Sequence, residues 1–327
     1  MKNDRHGKPR KRYVLLLIVF ISLFCLSAYK VTTQLLTERQ EMQAFDDLIQ
    51  QVNANRQARQ SRATSKPAAD ESVAPDVENM PEPANTDAGL TTDETQKVIA
   101  SEAEHTPAPA TEAPLRESVE PQTSDMPVPT VTEVPPMLAE YEPLYQRNHD
   151  LWGWIMIEGT TVNYPVMYTP RQWDYYLHKA FDRTYAFSGV PFMEGNCYYG
   201  CGNYLIYGHH MKNGTMFADI VNYASEEYWQ AHPLIYFDTL YETGTYEVIA
   251  AFYSRMFDAS ETDVFRYYRY TDLSDPDVFN EYITQVQLAA VYDTGLSASY
   301  GDQLLTLSTC EYSAQDNRFV VVARRID

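Results

Sequence analysis

Two apolar runs close the chain, QLLTLSTC and RFVVVARRI; the first ends on Cys310 and the second opens with Arg318. Side chains alternate in an extended run, so Leu305, Leu307 and Thr309 share one face while Thr306, Ser308 and Cys310 share the other. The thiol is therefore expected on a polar face, pointing out of the core. Seven residues, EYSAQDN, separate Cys310 from Arg318. If the two strands pair as a hairpin, Arg318 starts beside the place where Cys310 ends, within reach for a long side chain. A thiol with a pKa near ~8.5 is only a few per cent thiolate at neutral pH, and an adjacent imidazole raises that fraction and can later protonate a leaving amine. Of the seven histidines, His6 and His105 fall outside the aromatic-rich region, leaving His149, His178, His209, His210 and His232. The stretch NYLIYGHHMKNGTMF sets His209 after an apolar strand and Gly208, at a strand-to-loop transition where a side chain can face a cleft. His210 would point the other way. Spacing alone leaves His209 open between a catalytic base and a hydrogen-bonded structural or surface histidine.

The elements that must position these residues are short. GWIMIEGTTVNYPVM, GVPFMEG, NYLIYGHHM, PLIYFDTLYETGTYEVIAAFYSRMF, QLLTLSTC and RFVVVARRI are rich in Val, Ile, Tyr and Thr and bounded by turn signals. Such runs predict a mainly β domain, a barrel or sandwich. One helix interrupts them late: DPDVFNEYITQVQLAAVYD has acidic residues at its start and apolar ones at Val278, Phe279, Tyr282, Ile283, Val286 and Leu288, the spacing of an amphipathic helix just before the cysteine strand.

Only part of the 327 residues reads as globular, because no Phe, Trp or Tyr occurs between Phe45 and Tyr141. Residues 1–12 hold six Lys/Arg against one Asp, and residues 13–30 are apolar up to Lys30. The first stretch predicts a cytoplasmic tail and the second a membrane-spanning helix that leaves the remainder of the chain outside. A cleaved signal peptide competes, given the small Ser27 and Ala28. Residues 31–60 suit a juxtamembrane helix with a partial stripe of Leu35, Leu36, Met42, Phe45 and Leu48. Residues 61–137 carry twelve of the nineteen prolines, the composition of a disordered stalk. Residues 138–327 form the expected catalytic domain. The formal charge of -20 disfavours nucleic acid, which requires a basic face. Cys25, Cys197, Cys201 and Cys310 are too few and scattered for a disulfide framework. The Cys197 and Cys201 pair suits buried loop thiols better than a local disulfide or a metal site.

TLSTC, an arginine eight residues on before VVVA, and YGHHMKNGTMF upstream together resemble the sortases, membrane-anchored cysteine transpeptidases of Gram-positive bacteria. LWGWIMIEGTTVNYPVM, DYYLHKAFDRTYAFSGVPFM and the helix before TLSTC are similar to class B members in particular, over roughly Tyr141 to Ile326. The long helix between Asp275 and Tyr292 disfavours class A. The resemblance implies a closed β-barrel of the sortase type with a few helices. It also implies Cys310 as nucleophile, His209 as general acid and base, and Arg318 as the cation that positions substrate and stabilises an oxyanion. Ser308 and Glu311 match positions flanking the family's cysteine, which implies a place in the substrate groove, against the plainer role of filling a strand edge. Gln172 stands where many class B members carry Asn, and no family role carries over to Cys197 or Cys201. The implied partners are a surface or pilin protein bearing a sorting motif and an amine of peptidoglycan or a pilin, with no metal or organic cofactor. A secreted cysteine protease using the same three residues and an inert wall-spanning stalk protein are the rival readings.

Overall fold

No glycine or proline interrupts the chain between Pro9 and Pro67, and a single helix, α1 (Lys8–Ser65), runs through that whole stretch. The apolar segment and the juxtamembrane segment are thus one continuous element, since nothing between them breaks the hydrogen-bond ladder. The structure is a computed structural model that describes residues 8–65, 135–310 and 317–327, with the side chains of α1 described from residue 13 to residue 61. Most of the expected 61–137 linker lies outside the described residues, as do Glu311 and the first seven positions. The uncharged segment that begins at Tyr13 is long and apolar enough to cross a membrane, and none of it is buried in the protein. Past it, Phe45, Leu48 and Val52 share one face of α1 and are buried against the globular domain, whereas Leu35, Leu36 and Met42 of the expected stripe stay exposed.

Among the described residues eight strands follow: β1 (Leu151–Met156), β2 (Asn163–Met167), β3 (Phe192–Met193), β4 (Asn203–Gly208), β5 (Leu234–Thr239), β6 (Thr245–Arg255), β7 (Leu304–Cys310) and β8 (Asn317–Arg325). They are ordered β1-β2-β3-β4-β7-β8-β6-β5 and close into a barrel, because β1 pairs with β5 as well as with β2. Two neighbouring pairs are parallel, β2 with β3 and β4 with β7; the others are antiparallel. β1 bulges between Leu151 and Gly153. Gly153 is needed there, since a Cβ would lie 2.2 Å from the Asp238 carbonyl oxygen.

Four residues of the late helix match their expected burial. α2 (Glu142–Arg147) and α3 (Glu226–Ala231) are single short turns, but α4 (Pro276–Ala289) is capped by the Asp275 carboxylate, which accepts from the Asp277 and Val278 amides. Phe279, Tyr282, Ile283 and Val286 are buried, each contributing about 1.5–3 kcal/mol by leaving water, while Leu288 is exposed. α4 and the turn at Tyr267–Arg269 cover the face of β7 that alternation marks as polar. Thr306 bonds the Tyr282 hydroxyl at 2.8 Å and Ser308 the Tyr267 hydroxyl at 2.7 Å. That face is therefore a second buried layer rather than a solvated one, and Cys310 alone at its end is half-exposed.

Candidate active site

Gly208 ends β4 against Phe217, whose ring carbons would lie 2.6 Å from any Cβ placed there. The strand can approach so closely only with glycine, and the next residue, His209, leaves the barrel wall. β4 and β7 run parallel with Gly208 beside Thr309, so His209, just past the end of β4, and Cys310, at the end of β7, follow from neighbouring strands spaced about 4.8 Å apart. Across the antiparallel pair on the other side, Cys310 is directly opposite Arg318. Thiol, imidazole and guanidinium are thereby delivered from three adjoining strands to one rim of the barrel.

The two histidines diverge as their alternation requires. His209 Nε2 lies 2.8 Å from the Leu177 carbonyl oxygen; a carbonyl only accepts, so the neutral ring carries its proton on Nε2 and keeps the Nδ1 lone pair. His210 Nδ1 lies 3.1 Å from the Cys310 carbonyl oxygen and holds the end of β7. The His209 ring stacks on His178 with centroids 5.3 Å apart and planes 22° apart. Burial pushes the His209 pKa down, and the His178 and Arg318 charges push the same way against the Leu177 hydrogen bond. Arg318 Nη1 donates to the Asn317 carbonyl at 2.9 Å.

Ser308 is 1 % exposed, its hydroxyl engaged by Tyr267, so this side chain lies beneath the rim. Gln172 ends the exposed turn Pro170–Gln172. Tyr267 is a site neighbour that sequence reasoning missed: burial raises its pKa to about 12, while Ser308 and the Arg318 charge oppose the rise and Cys310 adds to it. It lies in RYYRY, where neither periodicity nor a motif distinguishes one tyrosine from the next. Leu177 and Phe187 are exposed apolar residues beside the His178 and His209 stack, and Trp173, against Phe192 and Tyr207, is exposed as well. Cys197 and Cys201 are buried free thiols that both lie against the Asn203 carbonyl, at 3.6 and 3.5 Å. The hydrogen bond with Cys201, and then burial, raise the Cys197 pKa. Among the described residues no cluster of His, Cys, Asp and Glu is arranged to hold a metal ion.

A thiol at the end of a strand that lies between those bearing an imidazole and a guanidinium, at one rim of a barrel, is suited to cysteine-dependent acyl transfer. Comparison with known proteins places the chain in one family. The family model for the Sortase domain matches residues 155–326. Sortase B of Staphylococcus aureus is 31% identical over 191 residues, covering 57% of this chain and 75% of the relative. Sortase B of Listeria monocytogenes is 33% identical over 176 residues, covering 53% and 67%. Among solved structures, the Staphylococcus aureus sortase B–substrate complex superposes with a TM-score of 0.53 at 29% identity, over 58% of this chain and 86% of that one. The chain belongs to the sortase family, with class B relatives, and is a cysteine transpeptidase acting on sorting motifs.

Proposed function

We propose that Cys310, His209 and Arg318 carry the transpeptidation. The observation that supports this is the double register: His209 follows the residue paired with Thr309 on one side, and Arg318 faces Cys310 on the other. His209 Nδ1 accepts the Cys310 proton, and the thiolate attacks the carbonyl carbon of a sorting motif held along the exposed apolar side chains of Trp173, Leu177 and Phe187. Arg318 balances the oxyanion of the tetrahedral intermediate. Its collapse breaks the C–N bond, with the His209 imidazolium giving its proton to the departing amine. A thioester to Cys310 remains. An amine of the cell wall or a pilin attacks that thioester, His209 takes the amine proton, the C–S bond breaks, and the thiol is restored with the surface protein joined to its acceptor. Glu311 flanks the nucleophile in sequence and is assigned to the same groove; Ser308, beneath the rim, supports the strand.

We infer the localisation from α1 and its flanking charge. Six basic residues precede the apolar segment, which orients the N-terminus to the cytoplasm and the barrel to the outside as a single-pass protein.

The test is a reaction of the full chain in detergent with a sorting peptide, with and without an added amine, read by mass spectrometry. The expected result is an amine-dependent ligated product, abolished in Cys310→Ala with the circular dichroism spectrum retained. His209→Ala should lose ~10²–10⁴-fold and His210→Ala far less. Hydrolysis that ignores the amine would instead identify a cysteine protease.

A further inference from the structure

Glu41 ties the anchor helix to the segment beside the catalytic rim. Glu41, on α1 beyond the apolar segment, accepts from the Phe187 amide at 2.9 Å, the Ser188 hydroxyl at 2.6 Å and the Ser188 amide at 3.3 Å. These groups lie in the connection from Lys179 to Gly189, whose only backbone pairing among the described residues is an isolated bridge between Lys179 and Tyr185 and a few turn hydrogen bonds. A segment with so little ladder of its own takes its position from such side-chain contacts. The other end of the Phe187 residue faces the site: its carbonyl accepts from His178 Nδ1 at 3.2 Å, and its ring stacks on His178 at 6.1 Å and 18°. His178 is itself exposed, so without these contacts its ring would be free to leave the face of His209.

We propose that Glu41 is a positioning residue for His209, acting from the membrane-anchor helix through Phe187 and the stacked His178. The chain of contacts is continuous: Glu41 to the Phe187 and Ser188 amides, Phe187 carbonyl and ring to His178, His178 ring to His209. Its consequence is that the anchor helix is part of the catalytic apparatus and not only a tether. The inference rests on His209 being the acid and base. The charged groups that act on His209 are His178 from the turn Tyr175–His178 and Arg318 from β8; Cys310 ends the neighbouring strand β7, and His178 is the one that α1 reaches. Losing the stack removes a neighbouring imidazole and uncovers the ring. Both changes favour the protonated form of His209, so its limb of the pH profile moves to higher pH.

The experiment measures kcat, KM and the pH dependence of kcat/KM for the full chain in detergent. Glu41→Ala is expected to lower kcat by roughly 5- to 20-fold with little change in KM, the scale of a small misplacement of a catalytic group, and to move the His209 limb upward. Glu41→Gln keeps an oxygen acceptor and should recover most of the rate. Glu38→Ala, one helical turn away and bonded only to Gln34 among the described residues, serves as the control with unchanged kinetics. His178→Ala should show the same shift, and the double variant Glu41→Ala/His178→Ala should be no worse than His178→Ala, because the two act in series. If Glu41→Ala does not fold, Ser188→Ala, which removes the 2.6 Å bond to Glu41 and a long 3.5 Å one to the Gly189 carbonyl while leaving both amide bonds to Glu41, is read in its place and should give a smaller shift of the same sign. A wild-type profile in whichever variant is read, or losses that multiply in the double variant, overturns the proposal. Full activity in His209→Ala would instead overturn the assignment on which it rests, so the two failures are distinguishable.

Discussion

Arg318 meets Cys310 because both sit at the ends of strands that pair in register, with Leu304 opposite Arg324 and Cys310 opposite Arg318. A bulk positive charge at that place could be supplied by Lys. A carbonyl oxygen held in a fixed direction needs the planar fork of a guanidinium, because an ammonium on a flexible stem does not hold the same geometry. Arg318→Lys should therefore lower kcat/KM by at least ~10²-fold, the scale for loss of one oxyanion donor, while Cys310 keeps its rate with a small alkylating agent. Near-normal turnover would exclude the directional role. The same alkylation should leave Cys197 and Cys201 unlabelled in the folded protein, since both are buried and the Cys197 thiol is held up in pKa by its partner and by burial. At this scale Cys310, Arg318 and the divergence of His209 from His210 were legible, because each follows from the two-residue alternation of a strand and the length of a hairpin. The Leu177 carbonyl that fixes the His209 tautomer, and the Tyr267 hydroxyl on Ser308, were not. Both come from segments distant in sequence with no pattern of their own.

Among elements, the six β-rich runs and α4 fall where hydrophobic period and turn residues put them, since those signals are local. Closure of the barrel and the parallel pairing of β4 with β7 are non-local, and nothing in either strand states its partner. The polar alternation of β7 misled for a related reason: Thr306 and Ser308 look solvent-facing until α4 and the Tyr267 turn supply tyrosine hydroxyls to satisfy them. The Tyr267 bond can be tested as a support of the cysteine strand. Tyr267→Phe removes the hydroxyl and leaves Ser308 buried with its tyrosine partner gone, a loss of about 1–3 kcal/mol. At ~2–4 °C per kcal/mol for a domain of this size, the melting temperature should fall by ~2–12 °C. Activity should drop less than in any of the Cys310, His209 or Arg318 variants. A loss of activity as large as theirs with no change in melting temperature would give the Tyr267 hydroxyl a chemical role instead.

For the whole molecule, α1 decides how the barrel is carried. The helix rises 1.5 Å per residue, so Phe45 stands only about 22 Å beyond Lys30, and it is already buried against the domain. The docking continues through charge: Arg56 Nη2 lies 2.8 Å from Asp238 and 2.6 Å from the Tyr141 hydroxyl, Tyr141 donates to Asp238 at 2.5 Å, and Arg59 donates to both oxygens of Glu140. Burial raises the Asp238 pKa above its ordinary value even though Tyr141 and Arg56 oppose it. Arg56→Ala would strand that carboxylate and raise its pKa further. Arg56 is itself partly exposed, at 28% of its side chain, so water softens the loss, which should be about 1–3 kcal/mol and short of the ~3–5 kcal/mol of a fully buried pair. The sign with pH follows. Above the folded-state pKa of Asp238 the variant carries an unpaired buried charge and the full deficit is present; as pH falls through that pKa the carboxyl is protonated, no charge is stranded, and the deficit closes. Thermal unfolding of the full chain in detergent, compared with wild type from neutral pH down to pH ~4, should therefore show two curves that converge toward acid. Curves that stay parallel would mean that Arg56 contributes by packing over Tyr141, 5.8 Å from its ring, and not through the charge of Asp238.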